Sequence, residues 1–124
     1  MKAKMYHFGP LIFNDIDITL YKAVEKLNGI KVIDIQGLYR NIREKKIIEK
    51  KNTIIKKFLK NFNILKCDTR ELHLIKNSND NNKIINYLFD LGLSEVIVTK
   101  GFFGSTIYSK SEGKISIPSF IPIK

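Results

Sequence analysis

The chain has 124 residues, and 22 Lys and Arg against 12 Asp and Glu give it a net charge of +10. That length suits one domain with one core, and 44% hydrophobic with 27% charged residues is the composition of a chain that folds. No apolar run is long enough to cross a membrane, the N-terminus lacks the apolar core of a secretory signal, and the single cysteine, Cys67, excludes both an intramolecular disulfide and a Cys-based zinc site. A cytoplasmic location is the expectation.

Residues 4–8 read as a strand stopped by Gly9-Pro10. Asn14 or Asp15 is placed to cap a helix running to Asn28, with Ile16, Leu20, Val24 and Leu27 at helical spacing and Gly29 at the C′ position. Residues 31–35 (KVIDI) predict a buried strand, and residues 42–48 a short strand or hairpin segment. Asn52 or Thr53 caps a helix to Phe62 whose apolar side carries Ile54, Ile55, Phe58 and Leu59. Residues 64–66 form a very short strand. Asp68 or Thr69 then caps a helix with Glu71 in its first turn, beside the positive end of the dipole. Asp80 starts another helix through Leu91, closed by Gly92. Glu95–Thr99 (EVIVT) is the clearest strand, and Ser105–Ser109 with residues 114–118 makes a hairpin.

Alternating strands and helices predict an α/β domain over residues 1–124. The expected architecture is a three-layer, Rossmann-like, mostly parallel sheet with helices on both faces and an antiparallel hairpin at one edge. Ligands of such sheets bind beyond the carboxyl ends of the strands, so the loops after Phe8, Ile35, Lys66 and Thr99 matter most.

The basic excess is lysine, with only Arg40, Arg43 and Arg70 as arginines. Nucleic-acid readers concentrate arginine and interleave stacking aromatics, whereas residues 43–60 alternate lysine pairs with isoleucine pairs. Neither a specific nucleic-acid partner nor a membrane partner is expected.

Three loops carry candidate chemistry. Thr99-Lys100-Gly101-Phe102-Phe103-Gly104 follows a strand, and its glycines can turn backbone N–H groups toward an anion; the same pattern also serves as a tight link between strands. Asp68 and Glu71 can hold a hydrated Mg²⁺, or can simply be an N-cap with a first-turn acid. Asp34, Gln36 and Arg40 follow the second strand. Alternation aims Asp34 and Gln36 to one side, and Arg40 can reach an anion or can sit solvated in a polar loop. His7 and His73 lack ligand spacing, and no Ser-His-Asp or Cys-His arrangement is present, so no catalytic residue is assigned.

Taken together, His7-Phe8-Gly9-Pro10, Asp34-Ile35-Gln36-Gly37-Leu38-Tyr39-Arg40, Asp68-Thr69-Arg70-Glu71 and Thr99-Lys100-Gly101-Phe102-Phe103-Gly104 resemble, in order and spacing, the middle of the PfkB/ribokinase-like carbohydrate kinases. Asp68-x-x-Glu71 is similar to that family's N-x-x-E, with Asp68 replacing the asparagine, and T-x-G-x-x-G is similar to its phosphate-side turn. The resemblance implies ATP-dependent phosphoryl transfer to a sugar or nucleoside hydroxyl. It places Thr99, Gly101 and Gly104 at phosphate, Asp68 and Glu71 at Mg²⁺, and Asp34, Gln36 and Arg40 at substrate or phosphate. The family's D-T-x-G-A-G-D segment, which supplies the base and anion hole, has no counterpart in these residues. The expectation is therefore a truncated kinase domain, inactive alone, or else a non-catalytic binding or oligomerisation domain, or one half of a split kinase. The apolar Ile115, Ile117, Phe120, Ile121 and Ile123 imply a homo-oligomer or a complementary kinase fragment as partner.

Overall fold

Four parallel strands run through the molecule in the order in which the chain makes them. The computed structural model describes residues 3–12, 15, 17–44, 46–49, 55–121 and 123. Its elements are β1 (Met5–Phe8), α1 (Ile18–Glu25), β2 (Ile30–Asp34), a 3₁₀ turn (Gln36–Tyr39), β3 (Arg40–Arg43), β4 (Lys46–Glu49), α2 (Ile55–Leu59), β5 (Ile64–Asp68), α3 (Thr69–Ile75), α4 (Asn81–Asp90), β6 (Glu95–Thr99), a second 3₁₀ turn (Gly101–Phe103), β7 (Ser105–Ser109) and β8 (Gly113–Ile117). The main sheet has the order β1-β2-β5-β6-β7-β8, and β3 with β4 forms a separate antiparallel hairpin. Strands β1, β2, β5 and β6 pair in parallel, and β7 and β8 add antiparallel strands at one edge. This is the predicted α/β class, with its edge hairpin.

The helices among the described residues share one buried core with one face of the sheet. Each crossover steps the same way across the sheet, from β1 to β2 to β5 to β6. Right-handed crossovers that never reverse direction leave every helix on one face. Strand register shows the consequence. Ile33, Leu65, Val96 and Tyr108 are aligned across the sheet and are all buried, as are Ile35, Cys67, Val98 and Thr106 one pleat further on. They share one core with Val24, Phe58, Leu59, Leu72, Ile84 and Leu88 from the helices. Phe8 reaches the same face and meets Phe62 edge-on, centroids 5.4 Å apart. The intervening residues Val32, Ile64, Ile97 and Ile107 point to the other face and are only half-buried.

Local signals place most boundaries. Asp80 caps α4 by accepting from the Asn82 and Lys83 N–H groups. Strand β5 runs two residues beyond the predicted 64–66, because Cys67 and Asp68 keep pairing with Val98 and Thr99. Helix α1 is capped by Asp17, whose carboxylate accepts from the Thr19 N–H. Asp15 instead folds back to accept from the Leu11 and Ile12 N–H groups, and Asn14 lies outside the described residues. That helix ends at Glu25, well before Gly29, so Gly29 is not its C′ residue. Gly29 serves a close approach: a Cβ there would lie 2.9 Å from the Ala3 carbonyl oxygen. Leu20, predicted on the apolar side of α1, is exposed, whereas Val24 is buried. The candidate caps Asn52 and Thr53, with Ile16 and Ile54, lie outside the described residues. No helix among the described residues is long and apolar enough to cross a membrane.

Gly37 fastens the loop after β1 to the loop after β2. A Cβ at Gly37 would lie 2.0 Å from the Pro10 carbonyl oxygen and 2.7 Å from the Leu11 nitrogen. Both are backbone atoms, so the methyl group of alanine has nowhere to go. Gly37→Ala should lower the unfolding free energy by roughly 1–3 kcal/mol through overpacking, read from urea melts. A change within experimental error would show that the two loops are not held together there.

Candidate functional site

The carboxyl ends of β5 and β6 open into a cleft of about 620 Å³ lined by Asp68, Thr69, Arg70, Thr99, Lys100, Gly101 and Phe103. Two neighbouring parallel strands end here, Asp68 opposite Thr99 in register. One strand turns into α3 and the other into the 3₁₀ turn, so both loops that leave the sheet wall the same space. Lys100 and Arg70 bring positive charge to it, and both were overlooked in the sequence. A lysine inside T-K-G in a chain rich in lysine gives no signal by type, and only its place at a strand end singles it out.

Each candidate residue has a definite local task. Asp68 and Glu71 form a reciprocal capping box. The Asp68 carboxylate accepts from the Glu71 N–H at 2.7 Å, and the Glu71 carboxylate accepts from the Asp68 N–H at 2.8 Å. The cap reading is therefore realised, and each carboxylate keeps one oxygen outside the box. Among the described residues no group of three or more His, Cys, Asp and Glu could hold a metal ion. A Mg²⁺ ion commonly takes one or two carboxylates and completes its shell with water and phosphate oxygens, which this pair can accommodate.

Thr99 donates its hydroxyl proton to the Cys67 carbonyl at 3.3 Å, so that hydroxyl already ties β6 to β5. Gly101, at φ +56°, adopts a left-handed conformation with open space on its Cβ side, and it lines the cleft. Gly104 does not line it. A Cβ on Gly104 would lie 2.0 Å from the Ile117 carbonyl oxygen, so this glycine lets the turn press against the end of β8. The Ser119 hydroxyl, donating to the Phe102 carbonyl at 2.5 Å, fixes the same contact.

Asp34, Gln36 and Arg40 do come together. Asp34 accepts from the Gln36 N–H at 3.2 Å, and Gln36, its amide oxygen toward Arg40, accepts from the guanidinium. Lys66, in register with Asp34 on the adjacent strand, forms an ion pair with it. Of this cluster only Lys66, on β5, shares a strand with the cleft, and none of the four residues lines it. His73, expected on a helix surface, is half-buried and bonded to Asn81 at 2.8 Å.

Burial sets the titration here. Glu71 is pushed up from the ordinary carboxylate value, first by desolvation and then by the charges of Asp68 and Asp34; the Asp68 N–H and Arg40 oppose the shift. Burial raises the Cys67 thiol well above its ordinary value and raises the Tyr39 phenol too, so neither is ionised at neutral pH.

No protein-family model matches the sequence, and no curated protein matches it. Solved structures do match. A pyrophosphate-dependent kinase of the ribokinase family, in complex with a pyrophosphate analogue and myo-inositol, superposes with a TM-score of 0.82 at 19% identity, over 98% of this chain and 44% of that one. Ribokinase from Thermotoga maritima gives 0.70 at 18% identity, over 97% and 36%. Aminoimidazole riboside kinase from Salmonella enterica gives 0.66 at 17%, over 98% and 41%. The fold is thus that of the ribokinase-like kinases, as the motifs imply, and the chain spans less than half the length of these neighbours.

The raised Glu71 pKa makes a pH prediction. An acid that holds its proton more tightly when folded contributes stability below its unfolded value, and that stability is lost as pH rises through the folded value. Unfolding free energy should therefore fall as pH is raised from about 4.5 through the raised pKa of Glu71. Glu71→Gln keeps an acceptor for the Asp68 N–H and should flatten that fall in urea melts across the same window. Parallel profiles for the two proteins would remove Glu71 as its source.

Proposed function

We propose that this chain is the phosphate-donor part of a ribokinase-like phosphotransferase. The observation that carries the reading is the cationic cleft where β5 and β6 end, in a fold whose solved relatives are kinases. The donor is a phosphoanhydride, ATP or pyrophosphate. The acceptor is the hydroxyl of a sugar, nucleoside or cyclic polyol. Lys100 and Arg70 supply charge to the donor phosphates. The Gly101 turn offers backbone N–H groups, since the first N–H groups of a helical turn lack partners within it. Thr99 and Gly104 hold that turn in place: one ties β6 to β5, the other seats the turn on β8. Asp68 and Glu71 hold a hydrated Mg²⁺ through their outer oxygens, and when bound that ion neutralises phosphate charge. Asp34, Gln36, Arg40 and Lys66 form the polar group on the acceptor side.

Phosphoryl transfer needs an oriented hydroxyl nucleophile and positioned charge stabilisation of the transferring group. The 124 residues contain no G-A-G-D segment, and among the described residues the carboxylate that lines the cleft, Asp68, is engaged in the capping box. The chain by itself binds donor and does not turn over. A scaffold without chemistry is the competing reading, favoured by the capping box that already engages Asp68 and Glu71.

The purified chain should bind pyrophosphate by titration calorimetry, and Lys100→Ala should weaken binding roughly tenfold, the cost of one charge-assisted contact. Gly101→Val, strained at φ +56°, should weaken it further. Neither ATP nor pyrophosphate should support phosphorylation of ribose or myo-inositol by the chain alone. Binding indifferent to both substitutions leaves only the scaffold reading, and turnover free of host kinases overturns the assignment of a donor-binding part.

A further inference from the structure

We infer that Asn28 is a self-modifying site: the Gly29 nitrogen displaces its side-chain amide, and the isoaspartyl linkage that results loosens the seat of β1 on β2. Asn28 stands between α1 and β2, outside helix and strand, and it is exposed. The residue after it is glycine, whose nitrogen is the least shielded by a side chain and whose backbone reaches the most conformations. Gly29 sits at φ +140°. Its N–H comes just before the sheet ladder, which opens with the Ile30 N–H donating to the Lys4 carbonyl at 3.0 Å.

Hydrogen bonding selects this asparagine over the asparagine-rich stretch 77–82. Attack requires the N–H that follows the asparagine to release its proton and its nitrogen to swing onto the side-chain carbonyl carbon. In that stretch the N–H groups are already engaged. After Asn77, the Ser78 N–H donates to the Lys76 carbonyl at 2.7 Å. After Asn79, the Asp80 N–H donates to the Ser78 hydroxyl at 3.1 Å. After Asn81 and Asn82, the next N–H groups donate to the Asp80 carboxylate at 3.0 and 3.3 Å, at the start of α4. The cap that begins α4 therefore also protects the asparagines around it.

The step balances without a cofactor. A bond forms from the Gly29 nitrogen to the Asn28 Cγ, and the bond from Cγ to the side-chain nitrogen breaks. That nitrogen leaves as ammonia, taking the Gly29 amide proton. Water then opens the cyclic imide. Opening at Cγ leaves an aspartyl residue; opening at the main-chain carbonyl leaves an isoaspartyl residue, whose main chain runs through the side-chain methylene. Either product adds one negative charge. The lengthened main chain has no room. A Cβ on Gly29 would lie 2.9 Å from the Ala3 carbonyl oxygen, 3.0 Å from that of Lys4 and 3.2 Å from the Tyr6 ring, so this backbone already runs tight against the start of β1. An extra main-chain atom there pushes the Ile30 N–H away from Lys4 and weakens the pairing of β1 with β2. This inference stands apart from the donor cleft and survives if that reading fails.

The full chain, aged for some weeks at neutral pH and then digested, should show the mass gain of deamidation on the peptide carrying Asn28 while the peptide carrying Asn77 stays unchanged. The product should accept a methyl group from S-adenosylmethionine when an isoaspartyl methyltransferase is added, and Asn28→Gln, aged alike, should accept none. In urea the Asn77 peptide should gain on the Asn28 peptide, because unfolding releases the Ser78 N–H. The converted chain, resolved by its extra negative charge, should unfold at lower urea than fresh chain. Freshly prepared Asn28→Asp, which adds the charge without lengthening the main chain, should unfold close to the unaltered protein. Conversion at Asn77 ahead of Asn28 in the folded chain, or an Asn28 peptide left intact after the urea-unfolded chain has converted, overturns the inference. So does an isoaspartyl chain whose urea midpoint matches that of the fresh one.

Discussion

Every crossover in this molecule steps in the same direction, and that constraint shapes everything else. A right-handed connection has one way to lay its helix on the sheet, so a strand order without reversal stacks all helices on one side. One face becomes a dry core of Ile33, Leu65, Val96, Cys67 and Val98 under helices; the other stays half-open. The same parallel run aligns the carboxyl ends of β5 and β6, so Asp68 and Thr99 sit side by side and their outgoing loops share a cleft. The cleft and the open face both follow from one topological fact.

The site is built from groups that do structural work first. The Asp68–Glu71 box starts α3, the Thr99 hydroxyl spans to β5, and Gly104 lets the turn rest on β8. Such double use gives preorganisation: loops that are fastened cannot drift, and a cationic cleft between fastened loops keeps its shape. It also explains why the raised Glu71 pKa and the capping box are one phenomenon. Burial lifts the carboxyl, and the Asp68 N–H partly compensates.

Much of this was legible in the sequence because the signals are local. Asp80 before an amphipathic run, alternating EVIVT, and Gly113 between two short β-prone segments each announce an element by its own chemistry. The motifs also fell on the strand ends where they were expected, and the ribokinase-like likeness they carry is matched by the fold. What stayed hidden depends on distant residues. The cap of α1 is Asp17 rather than Asp15 because Asp15 is engaged with Leu11 and Ile12. Gly29 and Gly37 answer to backbone that approaches from β1, which no window around them reveals. Lys66 and Lys100 were lost among nineteen lysines, given 22 basic residues of which three are arginine.

The central claim is that the cleft at the ends of β5 and β6 is an anion site rather than a link between strands. Amide chemical-shift mapping during titration with pyrophosphate tests it most directly. The account predicts shifts concentrated at Arg70, Lys100, Gly101 and Phe102, with amides of the distant lysines, such as Lys22 and Lys83, unmoved. Shifts spread evenly over the lysine-bearing surface, or none at the cleft, would contradict it.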